Sequence, residues 1–165
     1  MTRRIHVLVL LTVAALVASA CSSAAETLTE QIVEAGAEGD VDVNIDDETV
    51  SVSFEDEDGS GSFTVGGGEL PSDFPVPVPD GGEVMSVFES EGDIGAAVSY
   101  DAGSYDELVA FYEDWVAGAD LPELQTSTAE YEGARSVQWF SPSAGTYVSV
   151  TETPDGVLLS INVEG

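Results

Sequence analysis

Between Asp40 and Phe54 polar and apolar residues alternate with a period of two, and this alternation limits the fold more than any other feature. Asp40, Asp42, Asn44 and Asp46 interleave with Val41, Val43 and Ile45, and Thr49, Ser51 and Ser53 interleave with Val50, Val52 and Phe54. Successive side chains of an extended chain point to opposite sides, so each run predicts a strand with one wet and one buried face. Residues 55–61, rich in Asp, Glu, Gly and Ser, read as a turn, and Phe63 and Val65 predict a third, shorter strand. Three strands alone are marginal in water, so the apolar face of this meander needs a partner.

The same period returns after a segment that cannot pair. Residues 69–82 hold Pro71, Pro75, Pro77 and Pro79, which fix φ and donate nothing to a ladder, and they read as a Pro/Gly linker. Residues 84–88 then predict a strand, and Ile94, Ala96, Val98 and Tyr100 another. Ser104-Tyr105-Asp106-Glu107 has the form of a capping box. The helix it opens carries Leu108, Phe111, Tyr112, Trp115 and Val116 at three-and-four spacing, with Gly118 as the expected stop. Four more strands are expected at 126–132, 136–140, 146–152 and 157–163, divided by Gly133, by Pro142-Ser143-Ala144-Gly145 and by Thr153-Pro154-Asp155-Gly156. The expectation is an α+β fold. A small acidic antiparallel β-meander (40–68) precedes a β-β-α-β-β-β-β domain (83–165), in which one helix packs on an antiparallel sheet around Trp115 and Trp139.

The N-terminal residues have another purpose. Arg3 and Arg4 precede an apolar run from Ile5 to Val17, and the small residues Ala18-Ser19-Ala20 lead to Cys21. That layout is an export signal, and the run falls short of the ~20 residues a membrane span needs. Residues 1–20 are read as a removed signal peptide and 21–39 as a lipidated N-terminus with a tether or short helix, in which Leu28, Ile32 and Val33 fall at roughly helical spacing. Ala18-Ser19-Ala20-Cys21 resembles the lipobox of bacterial lipoproteins, with Ala18 where Leu is usual. It also satisfies the small-x-small rule for plain secretion. Cys21 is the single cysteine, so it has no disulfide partner within the chain. Both readings place the protein outside the cytoplasmic membrane, anchored by lipid on Cys21 or secreted and soluble.

Leu70-Pro71-Ser72-Asp73-Phe74-Pro75 and the prolines after it resemble the linker of uncharacterised lipoproteins of actinobacterial type. In that group a strand pair, a helix with a Phe-Tyr pair and further strands follow, as here with Phe111-Tyr112. The resemblance implies an architecture and a compartment and brings no activity with it.

Composition narrows the chemistry. After residues 1–20 are removed, thirty-two acidic side chains face Arg135 alone, and no histidine or lysine remains. Such a surface repels nucleic acid and anionic headgroups. In a salty medium, where the Debye length falls from ~8 Å at ~0.15 M to ~3 Å at ~1 M, it serves solvation. Ser-His-Asp and Cys-His nucleophiles, Schiff-base lysines and soft-metal sites lack their residues. Carboxylate chemistry is what remains, and no pair stands out among so many; Asp101-Ala102-Gly103-Ser104 only loosely matches the Asp-Thr-Gly of acid proteases. For hard cations, Asp40, Asp42, Asp46, Asp56 and Asp58 are weak ligand candidates, because an EF-hand alignment on Gly59 leaves Phe54 and Val65 at positions that require acids. Arg135 is expected to pair with a carboxylate such as Glu132. Phe111, Tyr112, Trp115, Trp139, Phe140 and Tyr147 are expected to form the core first and a ligand pocket second. The reading is a non-catalytic binding or interaction module of the cell envelope, with no cofactor, whose partners are the membrane through Cys21 and an envelope protein or ligand. The alternatives are a calcium- or cation-dependent adhesion or sensing module and a carboxylate-based glycan hydrolase.

Overall fold

The computed structural model describes residues 40–46, 49–56, 59–131 and 133–165. Among them the order is β1 (Asp40–Asp46), β2 (Thr49–Asp56), β3 (Gly59–Val65), β4 (Glu83–Ser90), β5 (Asp93–Tyr100), α1 (Tyr105–Gly118), β6 (Gln125–Tyr131), β7 (Ala134–Ser141), β8 (Thr146–Thr153) and β9 (Gly156–Val163). The strands form one sheet in the spatial order β1-β2-β3-β4-β5-β9-β8-β7-β6. Every pairing is antiparallel. The class is α+β, as the sequence implies.

The topology explains where the helix lies. After β5 the chain must reach the far edge at β6, beyond the three strands β9, β8 and β7, and α1 carries it across one face. The front face, under α1, presents Val98 and Tyr100 from β5, Val137 and Trp139 from β7, Val148 and Val150 from β8, and Val157, Leu159 and Ile161 from β9. Leu108 and Tyr112 close it from above. Full burial of a side chain such as Leu159 or Ile161 is worth about 1.5–3 kcal/mol. Tyr112 is fully buried, with ring centroids 5.9 Å from Trp139 and, edge-on, 6.0 Å from Trp115. The expected tryptophan pair is thus corrected: Trp139 is central, but Trp115, one turn further along the helix, is partly exposed and Tyr112 holds the middle.

The proline-rich segment 69–82 packs on the same face. Val76 is 3% exposed, and the hydroxyls of Tyr100 and Tyr112 donate to the carbonyls of Pro79 and Pro77 at 2.7 and 2.8 Å. Extended proline backbone has carbonyls with no ladder to join, and tyrosine hydroxyls reaching up from the core satisfy two of them. Across this segment β3 pairs with β4, with Phe63 opposite Phe88 and Thr64 opposite Val87, so the sheet is continuous.

Three local expectations are corrected. The turn foreseen at 55–61 shrinks, because β2 runs to Asp56 and β3 begins at Gly59. Phe54 pairs with Gly61, and its ring lies where a Cβ on Gly61 would stand, so the glycine makes room for an aromatic ring and does not break the strand. Ser104 makes no side-chain capping bond: its backbone is already helical (φ −76°, ψ −7°), whereas a capping hydroxyl needs an extended backbone. Its carbonyl does accept the Leu108 N–H at 3.0 Å. Gly118 remains helical, and the chain turns left-handed at Asp120 (φ +47°), a residue type that tolerates this region.

Candidate functional site

Register fixes which side chains share a face, because residues directly opposite in a ladder point the same way. On the back face, away from α1, one row runs from β7 to β1: Phe140, Tyr147, Asn162, Gly95, Phe88, Phe63, Val52 and Val43. Its β7–β8 end is an exposed aromatic platform. Phe140 is 42% exposed beside the half-buried Tyr147, with Gln138 and Ser149 in the next row and Asn162 exposed beyond Tyr147. The Asn162 side chain lies over Gly95, where a Cβ would meet its Oδ1 at 2.6 Å. Flat aromatic rings flanked by amide and hydroxyl groups suit a ligand that offers both apolar faces and hydrogen-bonding edges.

The six aromatics grouped by the sequence therefore divide. Tyr112 and Trp139 are core, Trp115 borders it and Phe111 is exposed on the helix, whereas Phe140 and Tyr147 belong to the opposite surface. The signal for this was present: Trp139 and Phe140 are adjacent in a strand, so burying one turns the other outward.

Arg135 is held by two carboxylates and a ring. Nε donates to Glu152 Oε2 at 2.5 Å, Nη1 lies 3.0 Å from Asp106 Oδ1, and the guanidinium sits 4.0 Å above the Tyr105 ring. Glu132, the partner suggested by proximity in sequence, lies outside the described residues. The register places Arg135 opposite Glu152, and Asp106 comes from the first turn of α1, so the contact ties the start of the helix to β7 and β8. The hydrogen bond from Arg135 holds the Glu152 carboxyl below the usual carboxylate range, and the same bond raises Arg135. Burial pushes the Tyr100 hydroxyl up to about 12, with help from Asp80, and burial raises Tyr112 as well. These are structural tyrosines, kept neutral as donors to the proline carbonyls.

An open groove of about 920 Å³ lies at one end of the sheet, where Asp42, Glu55, Asp73, Glu89, Glu91 and Asp93 gather. All six are exposed. Of the cation candidates, Asp42 lines this groove, and Asp46 is exposed opposite Thr49. Asp40 stands in register with Glu55 and Asp56 with Gly59, while Asp58 lies outside the described residues, as does Cys21. Among the described residues no group of three His, Cys, Asp or Glu could hold a metal ion. Asp101 and Gly103 (φ +101°) form the turn into α1, where the Ser104 N–H donates to the Asp101 carbonyl at 3.3 Å. No helix among the described residues is long and apolar enough to cross a membrane.

No protein-family model, curated protein or solved structure matches the chain.

Proposed function

We propose that the protein is a non-catalytic binding module of the cell envelope, anchored outside the cytoplasmic membrane by lipid on Cys21, and that it binds through the back face of its β-β-α-β-β-β-β portion. The observation that supports this most is the outward-facing pair Phe140 and Tyr147, whose burial in the core would have been as simple as a one-residue change of register. Binding modules place rigid aromatic anchors on a fixed scaffold, where little side-chain entropy is lost on contact. The sheet supplies that scaffold, and the platform is flanked by neutral polar side chains in a molecule otherwise rich in carboxylates. Catalysis by paired carboxylates depends on excluding water from one of them. The acidic groove, with its six exposed carboxylates, has no such exclusion, and the cation-dependent reading draws on charge alone.

The anchoring is tested by intact-mass measurement on membrane-extracted protein, which should show a diacylglycerol-sized addition that is absent from Cys21→Ser. The binding face is tested by Phe140→Ala/Tyr147→Ala in captures from envelope extract and from a panel of envelope glycans. The double variant should lose at least ten-fold in retention while keeping its thermal midpoint. Capture equal to that of the unaltered protein would reject this face as the site.

A further inference from the structure

The sheet changes its apolar side along its width. Under α1 the front face is apolar, but across β1–β3 the front carries Asp42, Asn44, Ser51, Ser53, Ser62 and Thr64. The apolar residues of this half, among them Ile45, Val52, Phe63, Val65 and Phe88, are on the back. From β1 to β4 the two rows that begin at Val43 and at Ile45 hold no acidic residue, in a chain with thirty-two of them. Both α1 and the proline segment pack on the front, so among the described residues no helix or strand layer covers this back patch, and Ile45 is 43% exposed. A contiguous apolar patch on an acidic molecule marks a surface that something covers.

We propose that a second copy of the chain covers it, the two sheets packing back to back over β1–β4 about a two-fold axis that runs along the strands between β2 and β3. Register carries the argument. Such an axis lays β1 of one copy over β4 of the other, and β2 over β3, so the same patch serves both copies. In the central row Val43 of one copy then meets Phe88 of the other, and Val52 meets Phe63. In the row on one side Ile45 meets Ser86 and Val50 meets Val65; on the other side Phe54 meets Gly61. Large residues facing small ones let two layers interdigitate at the ~10 Å separation of packed sheets. Four strands ~4.8 Å apart and about six residues long outline ~400 Å² on each copy, or ~800 Å² together before the relief of the side chains is added. That is the size of a weak, reversible association and well below an obligate dimer. The carboxylates of β1–β3 named above stand on the front, on the far side of each sheet, so their repulsion acts over a distance that salt screens: the Debye length is ~8 Å at ~0.15 M and ~3 Å at ~1 M. Beyond β4 the copies diverge, and the Phe140–Tyr147 platform stays open in both. The inference is therefore separate from the envelope-binding reading, and the failure of either leaves the other standing.

The test is sedimentation of the chain from residue 21 with Cys21→Ser, free of lipid and thiol, over about 10–1,000 µM. A monomer–dimer equilibrium is expected, several-fold tighter in ~1 M than in ~0.1 M sodium chloride. Ile45→Asp should weaken it by about ten-fold or more, because each dimer would then hold two carboxylates in a neutral layer. Leu158→Asp is the matched control. Leu158 lies on the same face but on β9, outside the patch, and is 41% exposed against 43% for Ile45. It should leave the equilibrium within about two-fold. Ile45→Thr, which keeps the β-branched side chain suited to a strand, should weaken association less and in the same direction, so the test survives poor folding of Ile45→Asp. Amide resonances that move with concentration should belong to β1–β4. A monomer throughout the series, equal weakening by Ile45→Asp and Leu158→Asp, or shifts confined to the outer edge at β6 would overturn the inference.

Discussion

Tyr112→Phe removes one oxygen from the centre of the molecule and isolates what the proline segment contributes. The side chain is fully buried, and its hydroxyl donates to the Pro77 carbonyl at 2.8 Å. Phenylalanine keeps the ring contacts with Trp139 and Trp115, so no large cavity forms, but the carbonyl loses its donor. A fully buried acceptor left without a partner costs about 1–3 kcal/mol, and we expect ~1–2 here because this bond is only partly buried and Pro77 is exposed. At about 4 °C per kcal/mol for a domain of this size, the midpoint should fall by roughly 4–8 °C in calorimetry near neutral pH. The loss should also be local. The amides of Val76 and Val78, the two that lie between prolines in residues 75–79, should exchange with solvent sooner than those of β8. A midpoint unchanged within about 1 °C together with unchanged exchange would refute the claim that this bond fastens the segment to the core.

Two further substitutions probe the sheet and the ion cluster. Gly61→Ala would put a Cβ 2.5 Å from the Phe54 ring and 2.8 Å from the Glu89 carbonyl oxygen. The backbone oxygen cannot move without opening β3–β4, so urea denaturation should show a loss of about 1–3 kcal/mol, and an unaltered midpoint would disprove the close approach. Glu152 has its pKa lowered in the folded state, so its contribution to stability is present above the unfolded carboxylate value and is lost as pH falls through the lowered folded value. Glu152→Gln should therefore weaken the fold near neutral pH and flatten part of its decline in acid. Melting curves between pH 2 and 6 with the same slope as the unaltered chain would contradict this.

Much of the architecture was legible because period-two alternation is a local property. Asp40 to Phe54 carries it openly, and so does the run from Ile94 to Tyr100. The helix was equally plain from its three-and-four spacing. What misled were residues whose local preference the surroundings override. Gly61 has the composition of a turn but sits inside a strand because Phe54 needs its empty side. Ser104 has the spacing of a cap but a backbone angle that prevents capping. The aromatic platform was half legible: alternation in β7 separates Phe140 from Trp139, but its neighbour Tyr147 is supplied by a different strand.

By itself the sequence determined the periods, the turns and the set of available chemistries, since these depend on residue type and spacing along the chain. It also shows Cys21 to be the single cysteine. Only the tertiary structure decided that Arg135 meets Glu152 and Asp106, that Tyr100 and Tyr112 fasten the proline segment, and that the apolar side of the sheet changes from back to front along its width. The reason is that register and crossover path are long-range choices. Alternation says that two faces exist in each strand, but which face meets a helix depends on what the rest of the chain brings there.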